Sequence, residues 1–297
     1  MAATPEVAIP TLEWLLASEH EILSVITQPD RPAGRGRLLK ESAISQWAHD
    51  KGVLCIKPQT TQETATAIEG SDVLLTIGYG VLLPQAVLTV PQFGCLNLHF
   101  SLLPRWRGAA PVQRAIEAGD AISGVTVFQL DEGMDTGPIY SIKRFALDSD
   151  ITSDELFIEL GLLGVEAVQE SLAAIENGVR PSRQNNLEAT RALKISKEEC
   201  EIDWTLEAQV ISQKVRAFTS HPGAWTKFRG GVVKIDTVNI SDAIFPAGTL
   251  HITGHELLVG TGSSAISIGY LTPAGKSRMD AKSWLNGARI SDGDFFG

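Results

Sequence analysis

Between Ile22 and Leu130 the chain alternates short apolar runs with stretches of helical pattern, and this alternation constrains the fold of its 297 residues more than any other feature. Ile22 to Thr27 reads as an apolar strand stopped at Gln28-Pro29, Ser42 to Gly52 as a helix, and Val73 to Ile77 as a second buried strand. A strand at Leu96 to Phe100, a helix from Pro111 to Ala118 with proline at its start, and a strand from Gly124 to Leu130 continue the series. Elements of this length and order imply an α/β domain with a mainly parallel, Rossmann-like sheet covered on both faces. Ligands of such sheets bind at the carboxyl ends of the strands.

A long helix follows, from about Ser153 to Asn177. Thr152-x-x-Glu155 is a capping box, Leu156, Leu160, Leu163, Val168, Leu172 and Ile175 form one apolar stripe, and Gly178 ends it. Residues 179–199 are polar, carry Pro181, Asn185 and Asn186, and read as a linker. The expected division is a domain over 1–178, this linker, and a second domain over 200–297. In the last, Leu206 to Phe218 is helical. Short runs then follow at Val232 to Ile240, Gly248 to Thr253, Leu257 to Gly260 and Ala265 to Leu271, a spacing that implies a small β-barrel.

With 43% hydrophobic residues the chain can bury two cores. No apolar run approaches the ~18 residues of a membrane span, and Met1-Ala2-Ala3-Thr4-Pro5-Glu6 lacks the basic start of a signal peptide. A cytoplasmic location and no membrane partner are expected. Cys55, Cys95 and Cys200 have no paired spacing, so neither disulfides nor zinc are indicated. The net charge of -10 is uneven. Arg31 to Lys40 holds four cations and no anion, and Arg105, Arg107 and Arg114 form a second basic cluster, so an anionic ligand is expected despite the acidic total.

The residues richest in chemistry lie in Cys95-Leu96-Asn97-Leu98-His99-Phe100-Ser101-Leu102-Leu103-Pro104-Arg105-Trp106-Arg107-Gly108. Leu96, Leu98 and Phe100 share one face of the strand, and Asn97 and His99 share the other. An amide able to donate to a carbonyl oxygen beside an imidazole able to exchange a proton suits chemistry at a carbonyl-like carbon. Asp135, in the tight loop Asp131-Glu132-Gly133-Met134-Asp135-Thr136-Gly137-Pro138, is a candidate third member. It could orient the imidazole or relay a proton through water. Whether His99 acts as base or, protonated, as oxyanion stabiliser stays open at this level.

Asn97, His99 and Asp135, with Ser101-Leu102-Leu103-Pro104 between them, resemble the signature of the folate-dependent formyltransferases. The likeness extends from Thr4-Pro5-Glu6 through Thr27 to Arg37 and on to Val215-Arg216-Ala217-Phe218 and Pro222-Gly223-Ala224, covering nearly the whole chain. It implies transfer of a formyl group from 10-formyltetrahydrofolate to the amino group of initiator methionyl-tRNA, with no metal. It implies that Asn97, His99 and Asp135 are catalytic and that Ser101, Leu102, Leu103 and Pro104 contact the folate. The turn Ile77-Gly78-Tyr79-Gly80 would frame the pterin pocket. Arg31, Arg35 and Arg37 would contact the tRNA acceptor stem, and the C-terminal domain would be an open barrel of the oligonucleotide-binding type. A monomer is expected. Lys194, Lys197, Lys214 and Arg216 are expected to gather as a basic face.

Two other readings stay open: a formyltransferase for a small amine, such as glycinamide ribonucleotide or an amino-sugar nucleotide, and a non-catalytic tRNA-binding protein. His251 and His255 stand in strand-like surroundings without a metalloprotease Glu, and the glycine pairs at Gly34 and Gly78 complete no dinucleotide fingerprint. The chain departs from the family at its start, where Met1 stands at the point an apolar strand should end. The expectation is a shortened start, a missing central strand and a less stable sheet.

Overall fold

The computed structural model describes residues 1–33, 38–291 and 293–297. In chain order the first elements are β1 (Ala2–Ala3), α1 (Ile9–Ala17), β2 (Val25–Ile26), β3 (Arg31–Ala33), β4 (Leu38–Lys40), α2 (Ala43–Lys51), β5 (Cys55–Ile56), α3 (Thr61–Ala67), β6 (Leu74–Ile77), α4 (Gln85–Leu88) and β7 (Cys95–His99). Next come β8 (Arg107–Gly108), α5 (Pro111–Glu117), β9 (Ile122–Gln129), β10 (Ile139–Ala146), α6 (Ser153–Glu176) and β11 (Arg191–Ala192). The remainder is α7 (Ala208–Phe218), β12 (Ala224–Phe228), β13 (Gly231–Ile240), β14 (Leu250–Thr253), β15 (Glu256–Val259), β16 (Ile266–Pro273), β17 (Met279–Asp280) and α8 (Ala281–Ala288).

Packing divides the chain into two compact units. One comprises Met1–Pro111, Ile122–Ala146 and Phe157–Ala192, the other Val112–Ala121, Leu147–Leu156 and Leu193–Gly297. Most of the stretch read as a linker thus packs with the first unit, and two earlier segments pack with the second.

The first unit is built on a seven-stranded sheet in the order β10-β9-β7-β6-β1-β2-β5. The five strands from β7 to β5 run parallel, and β9 and β10 are antiparallel additions. The chain builds outward from β1 to β5 and then crosses to β6 on the other side, so the strand order reverses between β1 and β6. A ligand crevice belongs at the carboxyl ends of those two strands. The expectation of a missing strand is corrected by the pairing. Ala2 pairs with both Ile26 and Thr76, Ala3 pairs with Ile77, and both alanines are fully buried. The strand is two residues long, as is its neighbour β2.

Helix α6 forms as its sequence dictates. Thr152 Oγ1 accepts from the Glu155 amide while Glu155 Oε2 accepts from the Thr152 amide, and Leu156, Leu160 and Val168 are fully buried. Gly124 explains how β9 approaches β10. A Cβ there would lie 2.0 Å from the Lys143 carbonyl oxygen and 2.6 Å from Leu102 Cδ2.

The second unit is an antiparallel sheet in the order β12-β13-β16-β15-β14, with β17 on β16. Its two edges are tied by the last residues: Phe296 bridges Phe228 of β12, and Phe295 bridges Thr249 at the start of β14. This tail closes the small open barrel expected from sequence. Inside, Phe296 stacks on Trp204 and packs against Phe228 and Trp284. Arg229 holds the tail by a fork onto Asp294, Nε to Oδ1 at 3.0 Å and Nη2 to Oδ2 at 2.6 Å. Arg229 and the amide and hydroxyl of Ser291 hold the Asp294 carboxyl down at about 2. An unfolded aspartate ionises near 3.9, so this contribution is fully present above about pH 4 and is lost as pH falls towards 2. Asp294→Asn is therefore expected to melt below the parent at neutral pH, and the gap should narrow in melts taken from pH 5 downwards. A gap independent of pH would remove the ion pair as its cause.

Candidate active site

The residues of interest stand where the sheet's parallel strands end. Asn97 and His99 leave the same face of β7, opposite Phe128 and Thr126 of β9. Asn97 Nδ2 donates to Thr76 Oγ1 at 2.8 Å, and that hydroxyl donates to the Leu96 carbonyl at 3.0 Å. An amide nitrogen carries two N–H groups, so Thr76 fixes the Asn97 side chain and leaves it one N–H to give.

His99 is buried, and its Nε2 lies 2.9 Å from the carbonyl oxygen of Trp106. A carbonyl can only accept, which puts the proton of the neutral ring on Nε2 and leaves Nδ1 with its lone pair. Nδ1 faces Asp135 Oδ2 at 3.8 Å. That separation is too long for a direct hydrogen bond, and it leaves the carboxylate beside the place where charge develops when Nδ1 takes up a proton. Asp135 Oδ2 also accepts from the Gly108 amide at 2.8 Å.

The two residues that aim these groups, Trp106 and Asp135, have φ of 63° and 54°. Left-handed backbone costs a non-glycine residue on the order of 1–3 kcal/mol and persists where surrounding bonds dictate it. Here the Trp106 amide donates to Thr190 Oγ1 at 2.9 Å, and the Asp135 carbonyl accepts from Gln184 Nε2 at 3.0 Å. The same segment pairs β11 with β8, Arg191 beside Arg107 and Ala192 beside Gly108. Residues 184–192, within the stretch read as a linker, therefore brace the loops that carry Trp106 and Asp135.

Ser101 Oγ donates to the Arg105 carbonyl at 2.7 Å, and Thr126 Oγ1 donates to the Ser101 carbonyl at 2.7 Å. Ser101 and Leu103 are buried, while Leu102 and Pro104 are half-exposed. Beyond β1 and β6, the Tyr79 carbonyl accepts from Gln28 Nε2 at 2.6 Å and from Thr4 Oγ1 at 3.3 Å. Gly78 and Gly80 have φ of 55° and 73°, and a Cβ on either would strike Pro5 or Gln28. Arg31 is exposed and donates to Gln28 Oε1, at the foot of the β3–β4 hairpin. Lys57 Nζ spans that foot, 2.7 Å from Asp30 and 3.2 Å from Glu41. Arg35 and Arg37 lie outside the described residues.

In the second arginine cluster the guanidinium groups of Arg107 and Arg114 are already engaged. Arg107 donates to Gln184 and Asn186, and Arg114 pairs with Glu117 at 2.6 Å and Glu199 at 2.9 Å. Nor do all the cations expected on a basic face point outward: Arg216 is half-buried on the Ile151 carbonyl, and burial pushes its guanidinium pKa down. Sequence reasoning passed over Thr76, Gln184 and Thr190, because only strand register and loop packing reveal what they hold.

A mainly parallel sheet that presents an amide, an imidazole and a carboxylate at the end of β7, one strand from its switch point, has the groups suited to an enzyme acting at a carbonyl carbon. Residues 4–170 match the formyl transferase family, and residues 194–289 match the formyl transferase C-terminal domain. The methionyl-tRNA formyltransferase of Thermobifida fusca is 40% identical over 303 residues, 100% of this chain and 98% of that one. The chain belongs to the formyl transferase family and, within it, to the methionyl-tRNA formyltransferases. Among solved structures, the N-formyltransferase of Helicobacter canadensis in complex with folinic acid and dTDP-3-aminofucose shares the fold, with a TM-score of 0.67 at 18% identity over 90% of this chain and 97% of that one. HypX of Aquifex aeolicus in complex with tetrahydrofolic acid gives a TM-score of 0.65 at 21% identity over 88% of this chain. The chain spans about half the length of HypX, 46% of it.

Proposed function

We propose that Asn97, His99 and Asp135 transfer the formyl group of 10-formyltetrahydrofolate to the amino group of methionyl-tRNA, making formylmethionyl-tRNA(fMet) for translation initiation. The observation that carries this reading is the His99 ring, with Nε2–H fixed on a carbonyl and Nδ1 facing a carboxylate 3.8 Å away. The acceptor amine attacks the formyl carbon, a C–N bond forms, and the formyl oxygen takes up the electron pair. Asn97 donates its remaining N–H to that oxygen. His99 Nδ1 takes the proton the amine sheds, and Asp135 stands beside the imidazolium so formed. When the carbonyl re-forms, the bond to the folate N10 breaks and that nitrogen leaves with the proton returned by His99.

Ser101, Leu102, Leu103 and Pro104 contact the folate in this reading, the half-exposed Leu102 and Pro104 by side chain and the buried Ser101 and Leu103 by the loop they shape. Arg31, Arg35 and Arg37 contact the tRNA acceptor stem. Residues 1–178 carry the chemistry, 179–199 connect and, through 184–192, brace the loops of the site, and 200–297 add a tRNA-binding surface. The enzyme works as a monomer in the cytoplasm; among the described residues no helix is long and apolar enough to cross a membrane.

The decisive assay offers methionyl-tRNA and glycinamide ribonucleotide side by side with 10-formyltetrahydrofolate. Transfer to the tRNA alone is expected, and transfer to the small amine alone would replace this reading. Joint Arg31→Ala, Arg35→Ala and Arg37→Ala substitution is expected to weaken tRNA binding and to flatten its salt dependence, by roughly 0.9 in slope for each phosphate left without a cation. An unchanged slope would take the loop out of the RNA interface.

A further inference from the structure

Gln184 uses every polar valence of its side-chain amide on the two loops that carry Asp135 and Arg107. Its Nε2 donates to the carbonyls of Asp135 at 3.0 Å and Gly137 at 2.7 Å. Its Oε1 accepts from Arg107 Nε at 3.1 Å and Nη2 at 2.6 Å. Carbonyls only accept and a guanidinium only donates, so the amide has one possible orientation. Arg107 is anchored in turn by Asn186 Oδ1 at 2.8 Å and by the pairing of β8 with β11.

The two sides of this clamp meet at one carboxylate. On one side Gln184 holds the backbone on both flanks of Thr136, where Asp135 adopts φ 54° and a Cβ on Gly137 would fall 1.8 Å from the Gln129 carbonyl oxygen. On the other side it holds Arg107, and the next residue, Gly108, gives its amide to Asp135 Oδ2. The separation of Asp135 from His99 Nδ1 is therefore fixed by a residue that touches neither the imidazole nor the carboxylate.

We propose that Gln184 is a positioning residue for formyl transfer, setting the Asp135 carboxylate against His99. The proposal rests on the reading of Asn97, His99 and Asp135 as the catalytic groups. It makes the 184–192 segment part of the transfer machinery as well as a connection between the two units.

Gln184→Glu is the informative variant. It keeps the shape and the acceptor for Arg107 but places an oxygen against the two carbonyls that the amide nitrogen now serves. The expected result is a kcat on the order of 10- to 100-fold lower, the scale of a displaced catalytic group, with KM for folate and for methionyl-tRNA unchanged. Because Gln184 acts through Asp135, the double variant with Asp135→Asn should be no slower than Asp135→Asn alone. Parent-like kcat, a rise in KM for tRNA at unchanged kcat, or losses that multiply in the double variant would each overturn the proposal. Thermal melts report whether the glutamate variant folds; if it does not, Gln184→Met, which fills the same space without polar atoms, is read by the same criteria. The two layers of inference separate on Asp135→Asn itself. Full activity there removes Asp135 from the catalytic groups and Gln184 with it, whereas a slow Asp135→Asn beside a fast Gln184→Glu removes Gln184 only.

Discussion

Replacing His99 by alanine is expected to slow formyl transfer by about 10²- to 10⁴-fold, the usual contribution of a positioned acid–base group, while tRNA binding stays at the parent level. The ring is buried and held by the Trp106 carbonyl on Nε2, and its other nitrogen is the one directed at Asp135. Removing it leaves the attacking amine to lose its proton to solvent, and leaves the Asp135 charge with nothing to stabilise. The substitution also removes the ring's contact with the Trp106 carbonyl and opens a cavity beside Phe128, so melting should fall. Single-turnover transfer, tRNA gel shifts and thermal melts on the same preparation separate these effects. Parent-like turnover in the alanine variant would remove His99 from the chemistry, and lost tRNA binding would make its role structural.

Asn97→Ala is expected to cost about 10²- to 10³-fold in kcat, the loss of one donor to a developing oxyanion. Thr76 decides how this should look. Its hydroxyl already takes one Asn97 N–H, so the side chain is held before substrate arrives and the remaining N–H needs no reorganisation. Its truncation should therefore leave KM for the folate almost unchanged and fall on kcat, since a formyl oxygen in the ground state gains far less from the donor than the tetrahedral oxyanion does. Asn97→Asp keeps the shape but sets a carboxylate against the same oxyanion, and should be no faster than the alanine variant. A rise in KM with unchanged kcat would make Asn97 a folate-binding residue instead.

What the sequence made legible is what depends on near neighbours. The capping box and apolar stripe of α6, the proline that opens α5 and the alternation of β7 are set by spacings of two to four residues, and each lies within a residue or two of its reading. The strand β1 had no such signal, because two alanines carry no period. Asn97, His99 and Asp135 stood out as polar residues at an apolar strand end and in a glycine-rich loop. The groups that aim them did not: Arg107 meets Gln184 across 77 residues and Trp106 meets Thr190 across 84. Arg107 and Arg114 looked like ligands for an anion because charge is visible in a sequence and its partner is not. Polar composition likewise disguised residues 184–192, in which Thr190 and Ala192 make backbone hydrogen bonds with the 104–110 loop.

That stitching also fixes when activity can arrive during synthesis. Domains form largely from the N-terminus as the chain emerges, and the strands from β1 to β10 all precede the braces. Yet the Trp106 amide, the Asp135 carbonyl and the Ala109 amide receive their partners from Thr190, Gln184 and Ala192. A nascent chain that ends before Ala192 can assemble the sheet without fixing the charges on it. In a growing chain those three groups therefore wait for residues 184–192, and the surroundings of His99 and Asp135 are complete only once that segment has joined the first unit.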